Sequence, residues 1–292
     1  MIDFLRYRLY CLTASIVFIL LGVGVYFIKG GFKYHIDFVG GTEINILFEK
    51  PLNISELRAG LANKGWKDLT IQSVGFSTSG LYSEFVVKVG ETDDGVSKRF
   101  EKDISSTIKN NKIEIRSVSR VGSEVGSDIR WRSFLSIILS LLVLLIYITV
   151  MRSGYRYALG AVAALVHDVL AVLVLFLVFE WQISVNVLAA ILAILGYSLN
   201  DTIVIFSRIR ENLKKLKGKP EKDIVNISLN QTLRRTLLTS LSTLLTVGSI
   251  LVLGGEALRG FAIAMMIGVV FGTYSSIYIS SPVMLAFDFS KD

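Results

Sequence analysis

Residues 157–179, YALGAVAALVHDVLAVLVLFLVF, decide the class of fold. The stretch is long enough to cross the ~30 Å hydrocarbon core of a bilayer as a helix that rises ~1.5 Å per residue. Apart from His167 and Asp168, near its middle, it carries no side chain that is ionised close to neutral pH. A helix of this length that is apolar on every side is typical of a membrane span. The stretch therefore predicts a transmembrane helix with an ionisable pair at mid-depth.

The rest of the chain repeats this pattern. Its 292 residues are 52% hydrophobic and 19% charged, with a mean hydropathy of +0.58, a composition that would give a soluble domain large exposed apolar patches. The first apolar run lacks the cleavage site of a signal peptide, so we interpret it as an anchor. The fold class is thus a polytopic α-helical membrane protein with six transmembrane helices. The five other predicted spans are residues 9–28, 134–151, 183–206, 236–253 and 261–287.

The net charge of +7 is concentrated on one predicted side of the membrane. Residues 207–235 form a basic loop, and short basic loops stay in the cytoplasm. Six crossings bring Arg6, Arg8, Arg152 and Arg156 to the same side, so both termini are predicted to be cytoplasmic. The loop lacks the interleaved aromatic residues of a nucleic-acid surface, which excludes nucleic acid as a partner.

Between the first two spans lies a predicted external domain, residues 29–132, whose charges nearly cancel. The predicted helices start at the capping box Asn53-Ile54-Ser55-Glu56 and at Asp93-Asp94-Gly95. The predicted strands are residues 36–48, 69–76, 81–89 and 112–121, with a hairpin turn at 77–80. The order βαββαβ indicates an α+β ferredoxin-like domain. The chain then divides into residues 1–28 (N-terminus and first helix), this domain, and a five-helix domain, residues 133–292.

Two glycine pairs flank the external domain. Gly40 and Gly41 are not expected to bind phosphate, because no lysine follows and no helix starts there. We interpret them as a bulge or a tight backbone approach. Gly122 and Gly126, in the segment that leads to the second span, suit a hinge or a passive linker equally well.

Covalent chemistry and metal binding are not expected. Cys11 is the single cysteine and lies in the first span, so the external domain has no disulfide. The two histidines, His35 and His167, are far apart in sequence, and no cluster has metal-ligand spacing. Since no nucleophile is placed beside a base, we predict a non-enzymatic protein without a cofactor.

Placing an ionisable side chain in a membrane span costs roughly 2.5 to 3.5 kcal/mol, so we expect each one to have a structural or functional role. For Asp168 we favour a structural hydrogen bond to a neighbouring helix over proton transfer. Asp201 is the better functional candidate, because small residues on one helical face lead to it and suggest an interface. This face comprises Ala189, Ala193, Gly196 and Asn200.

The fifth span offers a partner for Asp201, namely a polar stripe with a guanidinium at its cytoplasmic end. The stripe comprises Arg235, Thr239, Ser242 and Thr246. A helix movement that separates Arg235 from Asp201 would drive proton uptake. A static ion pair, or an Arg235 that extends to the lipid headgroups, remains the alternative.

Several motifs, in their order and spacing along the whole chain, resemble the SecF branch of the SecD/SecF family, within the resistance-nodulation-division superfamily. They are residues 36–42 (IDFVGGT), 167–168 (HD), 196–202 (GYSLNDT), 208–212 (RIREN), 235–240 (RTLLTS), 258–261 (LRGF) and 272–276 (GTYSS).

The resemblance implies a role in protein export across the bacterial inner membrane, driven by the proton-motive force. Its implied partners are SecD, which would add six further spans, the SecYEG channel, the ATPase SecA, YajC and translocating preproteins. It makes Asp201 the protonatable carboxylate and Arg235 its basic partner, with supporting roles for Asn200, Thr239, Asp168 and His167, and it places the external domain in the periplasm. One position departs from the family: many members have Asp where this chain has Ser207.

Two other functions fit some of these features. A small-molecule or lipid exporter of the same superfamily would normally carry both six-span halves in one chain, and this chain has one half. An intramembrane hydrolase built on His167, Asp168 and Asp201 lacks a nucleophile.

Overall fold

The computed structural model describes residues 2–62, 64–66, 69–74, 79–108, 111–152 and 154–286. Within these residues six helices are long and apolar enough to cross a membrane, and one small antiparallel sheet forms. The chain divides into two compact units. The helical unit comprises Met1–Lys33, Phe134–Gly254 and Leu258–Asp292, and the sheet unit comprises Tyr34–Ser133 with Gly255–Ala257.

The elements follow in this chain order: α1 (Arg8–Lys29), α2 (Ile36–Val39), β1 (Gly41–Asn53), α3 (Ile54–Ala62), β2 (Thr70–Val74), β3 (Leu81–Val89), α4 (Val96–Thr107), β4 (Ile113–Val121), α5 (Ser123–Arg152), α6 (Tyr155–Val178), α7 (Val185–Lys215), α8 (Glu221–Leu253), α9 (Gly255–Ser275) and α10 (Ser281–Ala286). A 3₁₀ turn, Phe4–Tyr7, precedes α1, and a π-helical turn, Ser276–Ser280, joins α9 to α10.

The six predicted spans all correspond to helices, but several helices extend beyond them. α7 runs on to Lys215 and α8 begins at Glu221, so most of the predicted basic loop, residues 207–235, is helical. Ion pairs one turn apart support the charged end of α7, with Glu211 2.9 Å from Arg208 and 2.6 Å from Lys215. The apolar pattern identifies only the part of each helix within the membrane, so it does not predict that the helix continues beyond it. Phe287, at the predicted end of the last span, lies outside the described residues.

The helical unit is built around α6, which packs against α1, α7, α10 and the π-helical turn. α7 packs in turn against α8. By contrast, few residues of α5 are buried. The sixth span is interrupted at the π-helical turn just before Pro282, whose ring cannot donate the next helical hydrogen bond.

Polar contacts fix both ends of α1. At its C-terminal end, Lys29 and Lys33 approach Glu180 to 2.9 Å and 2.5 Å. Hydrogen bonds from these two lysines, that of Lys33 first, lower the pKa of Glu180 to about 2. At the other end, the side chains of Asn226 and Asn230 on α8 hydrogen-bond the backbone of Ile2 and Phe4.

The sheet unit has the predicted order of strands and major helices, βαββαβ, in an antiparallel sheet of order β2-β3-β1-β4. β2 pairs with β3, as the predicted hairpin requires, although residues 75–78 of that connection lie outside the described residues. α3 begins at the predicted cap, where the Asn53 side chain accepts hydrogen bonds from Ser55. β3 has the predicted bounds, and β4 begins one residue later than predicted.

The beginning of the unit differs from the sequence prediction. Ile36–Val39, expected to open the first strand, form the helical turn α2, and β1 begins at Gly41. Gly40 has a φ of 83°, and a Cβ atom there would lie 2.8 Å from the backbone of Ser123. Gly126 was expected in a hinge or linker but lies within α5, where a Cβ atom would lie 2.9 Å from the nitrogen of Gly40. The glycines thus let two backbone segments of this unit meet closely.

The core of the sheet unit lies between the sheet and helices α3 and α4. On β1 the buried side chains alternate, with Ile44, Ile46 and Phe48 on the inner face. Phe85 packs edge-on against Phe48. All members of this hydrophobic cluster lie between residues 44 and 104, within one continuous stretch of chain.

Residues 29–132 expressed alone should therefore fold without metal or disulfide. Phe100 is fully buried on α4, so Phe100→Ala should lower the free energy of unfolding by about 3–5 kcal/mol. The control Val118→Ala, on the exposed face of β4, should lower it by less than about 1 kcal/mol. Urea unfolding followed by circular dichroism measures both. A random-coil spectrum of the excised domain would contradict an independently folded unit.

Candidate functional site

The carboxyl group of Asp168 on α6 is completely enclosed and well satisfied. Its Oδ2 accepts a hydrogen bond of 2.6 Å from the Ser198 hydroxyl of α7, and its Oδ1 lies 3.3 Å from Nδ1 of His167. Ser275 of α9 is near this carboxyl group, but its hydroxyl donates to the carbonyl oxygen of Gly272. Gly272 lets α9 approach closely, because a Cβ atom there would lie 3.1 Å from that of Ser198. Asp168 thus links α6 to α7, and α9 packs against the same site.

His167 lies beside this carboxyl group, and its ring is 6.0 Å from Phe271 and 5.9 Å from Tyr274. Its Nε2 atom is buried without a hydrogen-bond partner in the described residues. Together His167, Val270, Phe271 and Tyr274 line one side of a mainly apolar cavity of about 330 Å³, and α1 lines the other side.

Asp201 on α7 has a different environment. Its side chain is only 3% exposed, yet Oδ2 has no hydrogen-bond partner among the described residues. The hydroxyl of Thr239 on α8 is near the carboxyl group, but it donates within its own helix, to the carbonyl oxygens of Thr236 at 2.9 Å and Arg235 at 3.1 Å. The buried hydroxyls of Thr202 and Thr236 likewise have no partner in the described parts of the chain.

Arg235 acts on Asp201 electrostatically, but the two form no ion pair within 4.0 Å in this structure. The Arg235 residue lies on the exposed side of α8. The observed geometry is a separated pair and not a static ion pair. An Arg235 that extends to the lipid headgroups would give the same geometry, so the separable pair stays a prediction.

The face of α8 that meets α7 is shifted from the predicted stripe. Thr236, Ser240 and Val247 are buried, whereas Ser242 and Thr246 are exposed and donate only to carbonyl oxygens of their own helix. Thr239 stands at the edge between these faces. Periodicity alone gives several polar stripes on such a helix, and only packing selects one of them.

A chain of hydroxyl groups joins three helices beside Asp201. Tyr197 of α7 donates to Ser240 of α8 over 3.3 Å, and Ser240 lies 2.6 Å from Thr273 of α9. Sequence reasoning missed Tyr197, Ser198, Ser240 and Thr273, although all four lie within the quoted family motifs. Their hydroxyls carry no charge and so gave no signal in a search for ionisable groups.

No described residue covers the small-residue face of α7. Ala189, Ala193, Gly196 and Asn200 are all exposed, and a Cβ atom on Gly196 would meet nothing within 4 Å. The expectation that this face leads to the contact around Asp201 was wrong in detail, since Asp201 turns toward α8 and the small residues turn away. Asn200 accordingly makes no hydrogen bond with the described residues.

The site therefore contains two buried carboxyl groups. That of Asp168 is hydrogen-bonded, whereas Oδ2 of Asp201 has no partner among the described residues. Ser198, bonded to Asp168, and Asp201 are three residues apart on α7 and lie on adjoining positions of its surface. Within the described ranges, no group of three or more His, Cys, Asp or Glu side chains could hold a metal ion. The groups that the site presents are proton donors, proton acceptors and one distant guanidinium.

Known proteins share this architecture. The family described as Protein export membrane protein SecD/SecF, C-terminal, matches residues 101–290. A protein translocase subunit SecF from Pseudomonas aeruginosa is 36% identical over 284 residues, which make up 97% of this chain and 90% of the relative. A protein translocase subunit SecDF from Thermus thermophilus is 37% identical over 279 residues, or 95% of this chain and 37% of the relative.

The crystal structure of SecDF, a translocon-associated membrane protein from the same organism, superimposes with a TM-score of 0.85 at 35% identity. The superposition covers 98% of this chain and 38% of that chain. One fused protein therefore contains a region similar to this chain together with a longer additional part.

Proposed function

The chain belongs to the SecD/SecF family of protein export membrane proteins, as a SecF-type translocase subunit, and on this premise we propose that it uses the proton-motive force to assist translocation through the Sec channel. It does so without covalent chemistry or an organic cofactor. The preproteins would already be engaged by SecYEG and SecA, with YajC as a further partner.

The unsatisfied carboxyl oxygen of Asp201 carries this proposal. A buried ionised carboxylate normally holds several hydrogen bonds, because burial without them is costly. The Thr239 hydroxyl donates to two carbonyl groups of its own helix, and Oδ2 of Asp201 has no partner among the described residues. That oxygen is the position that a transported proton would occupy.

Arg235 supplies the second state of the cycle. A guanidinium in contact with the carboxylate would replace the proton, and a separated guanidinium would readmit it. In this structure the two groups are separated. Movement of α8 along α7 would alternate the two conditions, since α7 and α8 pack directly against each other.

SecD is the proposed partner, and the uncovered face of α7 is its proposed contact. This face is formed by Ala189, Ala193, Gly196 and Asn200 and would let another helix approach closely. The fused relative carries both parts in one chain, according to its name. Contact there would place the second half next to the helix that bears Asp201.

The proposed location is the bacterial inner membrane, with both termini in the cytoplasm. The N-terminal residues are bonded to α8, and Phe4 packs edge-on against Tyr278 near the other end of the chain. These contacts support a common side for the N-terminus, the basic segment and the end of the sixth span. Residues 29–132 would then be an external, periplasmic ferredoxin-like domain between the first and second spans, and residues 133–292 the five-helix domain.

Asp201→Asn should abolish proton-dependent export, because the amide keeps the size of the side chain but cannot exchange a proton. The measurement is the rate at which a slow preprotein enters inverted membrane vesicles, with and without an uncoupler. Membrane insertion and binding of SecD should be unchanged. Asp223→Asn, an exposed site in the first turn of α8, is the matched control and should keep the wild-type rate. A normal rate for Asp201→Asn would reject the proton-carrier role.

Arg235 should be coupled to Asp201 in the same assay. Arg235→Lys keeps the charge but loses the planar fork that grips a carboxylate, so the rate should fall partially, and Arg235→Met should abolish it. The partial defects of Arg235→Lys and Asp201→Glu should be non-additive. Arg234→Lys, at the neighbouring exposed position, should combine with Asp201→Glu multiplicatively. Multiplicative defects for Arg235→Lys as well would reject the pairing.

Gly196→Leu should block assembly with SecD, because the new side chain would stand where the partner helix approaches. The matched control is Gly24→Leu on α1, where a Cβ atom also meets nothing within 4 Å. Co-purification with a tagged SecD should fall at least tenfold for Gly196→Leu and stay unchanged for Gly24→Leu. Equal recovery of both variants would move the interface away from this face.

A further inference from the structure

His35 lies between two carboxylates in the sheet unit. Its Nδ1 atom is 3.0 Å from Oδ2 of Asp37 on α2, and its Nε2 atom is 3.0 Å from Oε2 of Glu43 on β1. The side chains of His35, Asp37 and Glu43 are 19%, 27% and 26% exposed, so solvent screens these contacts only in part.

The geometry selects a protonation state. A neutral imidazole has one N–H and one lone pair, so it donates to one of these carboxylates and turns a lone pair toward the other. The imidazolium has two N–H groups and donates to both. The backbone N–H of Asp37 lies 3.4 Å from Nδ1 and is a longer, alternative contact for the neutral ring.

A further charged group at this site is Lys88 of β3, whose Nζ is 3.5 Å from the same Oε2 atom of Glu43. Burial lowers the pKa of His35, but the hydrogen bonds of Asp37 and Glu43 outweigh burial and Lys88, so the pKa lies above its usual 6.5. The hydrogen bond from His35 is also the main reason why the pKa of Glu43 is lowered. On β4, Arg120 pairs with Asp94 instead.

We propose that His35, Asp37 and Glu43 form a proton-binding site, separate from the intramembrane carboxyl groups, which fastens the turn α2 to strand β1 while the imidazole is protonated. Loss of the proton removes the donor at one ring nitrogen and releases one of the two carboxylates. Because α2 contacts both β1 and β4, its release loosens the start of the sheet unit.

The direction of the pH effect follows from the raised pKa. The stabilising contribution of His35 is fully present below pH 6.5, the pKa in the unfolded chain, and is lost as the pH rises through the higher folded pKa. The site therefore responds to pH near and above 6.5. This inference rests on the proposed function at one point only: a periplasmic domain would expose this site to the pH of the periplasm.

Titration of the full-length protein in lipid nanodiscs tests the site directly. The chain has only two histidines, so NMR of isotope-labelled histidine gives two sets of signals, and His35→Gln identifies the set from His35. The midpoint of His35 should lie above 6.5 and should fall in Asp37→Asn and in Glu43→Gln. Glu49→Gln, an exposed glutamate of the same strand, should leave it unchanged. A midpoint at or below 6.5, or one that neither Asp37→Asn nor Glu43→Gln lowers, overturns the proposal.

Hydrogen exchange tests the fastening of α2. The amide of Gly40 donates to the carbonyl group of Ile36 over 2.8 Å and reports on this turn. Its protection, corrected for base catalysis, should fall as the pH rises through the His35 midpoint, and His35→Gln should show no such step. Wild-type protection without a step overturns the fastening role. These results are independent of export, so a failure of Asp201→Asn to affect export would remove the proposed function and leave this site standing.

Discussion

A carboxyl group buried between membrane helices must take its hydrogen-bond donors from neighbouring helices, because the bilayer offers none. Asp168 meets this requirement through Ser198 of α7, with His167 of its own helix beside it, and so links α6 to α7. Gly272 leaves the space in which these groups meet. The position of α7 depends on this contact, and the place of Asp201 depends on the position of α7.

Asp201 meets the same requirement only in part, and this contrast gives the two carboxylates different roles. A fully bonded group such as Asp168 gains nothing from movement of a helix. A group with one free oxygen gains a partner when a proton or a guanidinium arrives. The helical unit thus combines a well-bonded α6–α7 contact with an α7–α8 boundary at which bonding is incomplete.

Two helices of the helical unit, α5 and α7, have exposed faces. Few residues of α5 are buried, and the small residues of α7 face outward. In a bilayer such faces meet either lipid or another protein. The fused relatives contain a longer additional part. The uncovered face lies on α7, the helix that also bears Asp201.

The sequence predicted much of the fold because strong local signals marked it. The capping residue Asn53 starts α3 as expected, and the alternation of Ile44, Ile46 and Phe48 correctly indicated a half-buried strand. It failed at α2, since apolar residues alone do not distinguish a single helical turn from the start of a strand. It also did not predict that Gly126 lies within α5, where the absence of a side chain lets the helix approach the backbone of Phe38 and Gly40.

By itself, the sequence determined the class of protein, the six spans and the βαββαβ order. These features depend on residue type and periodicity, which are local. Only the tertiary structure decided that Thr236 and Ser240, but not Ser242 and Thr246, meet α7, and that Arg235 stands apart from Asp201. It also decided that His35 lies between two carboxylates. The rotation of a helix about its axis, and the distance between side chains remote in sequence, are set by packing against other elements and leave no trace in the local pattern.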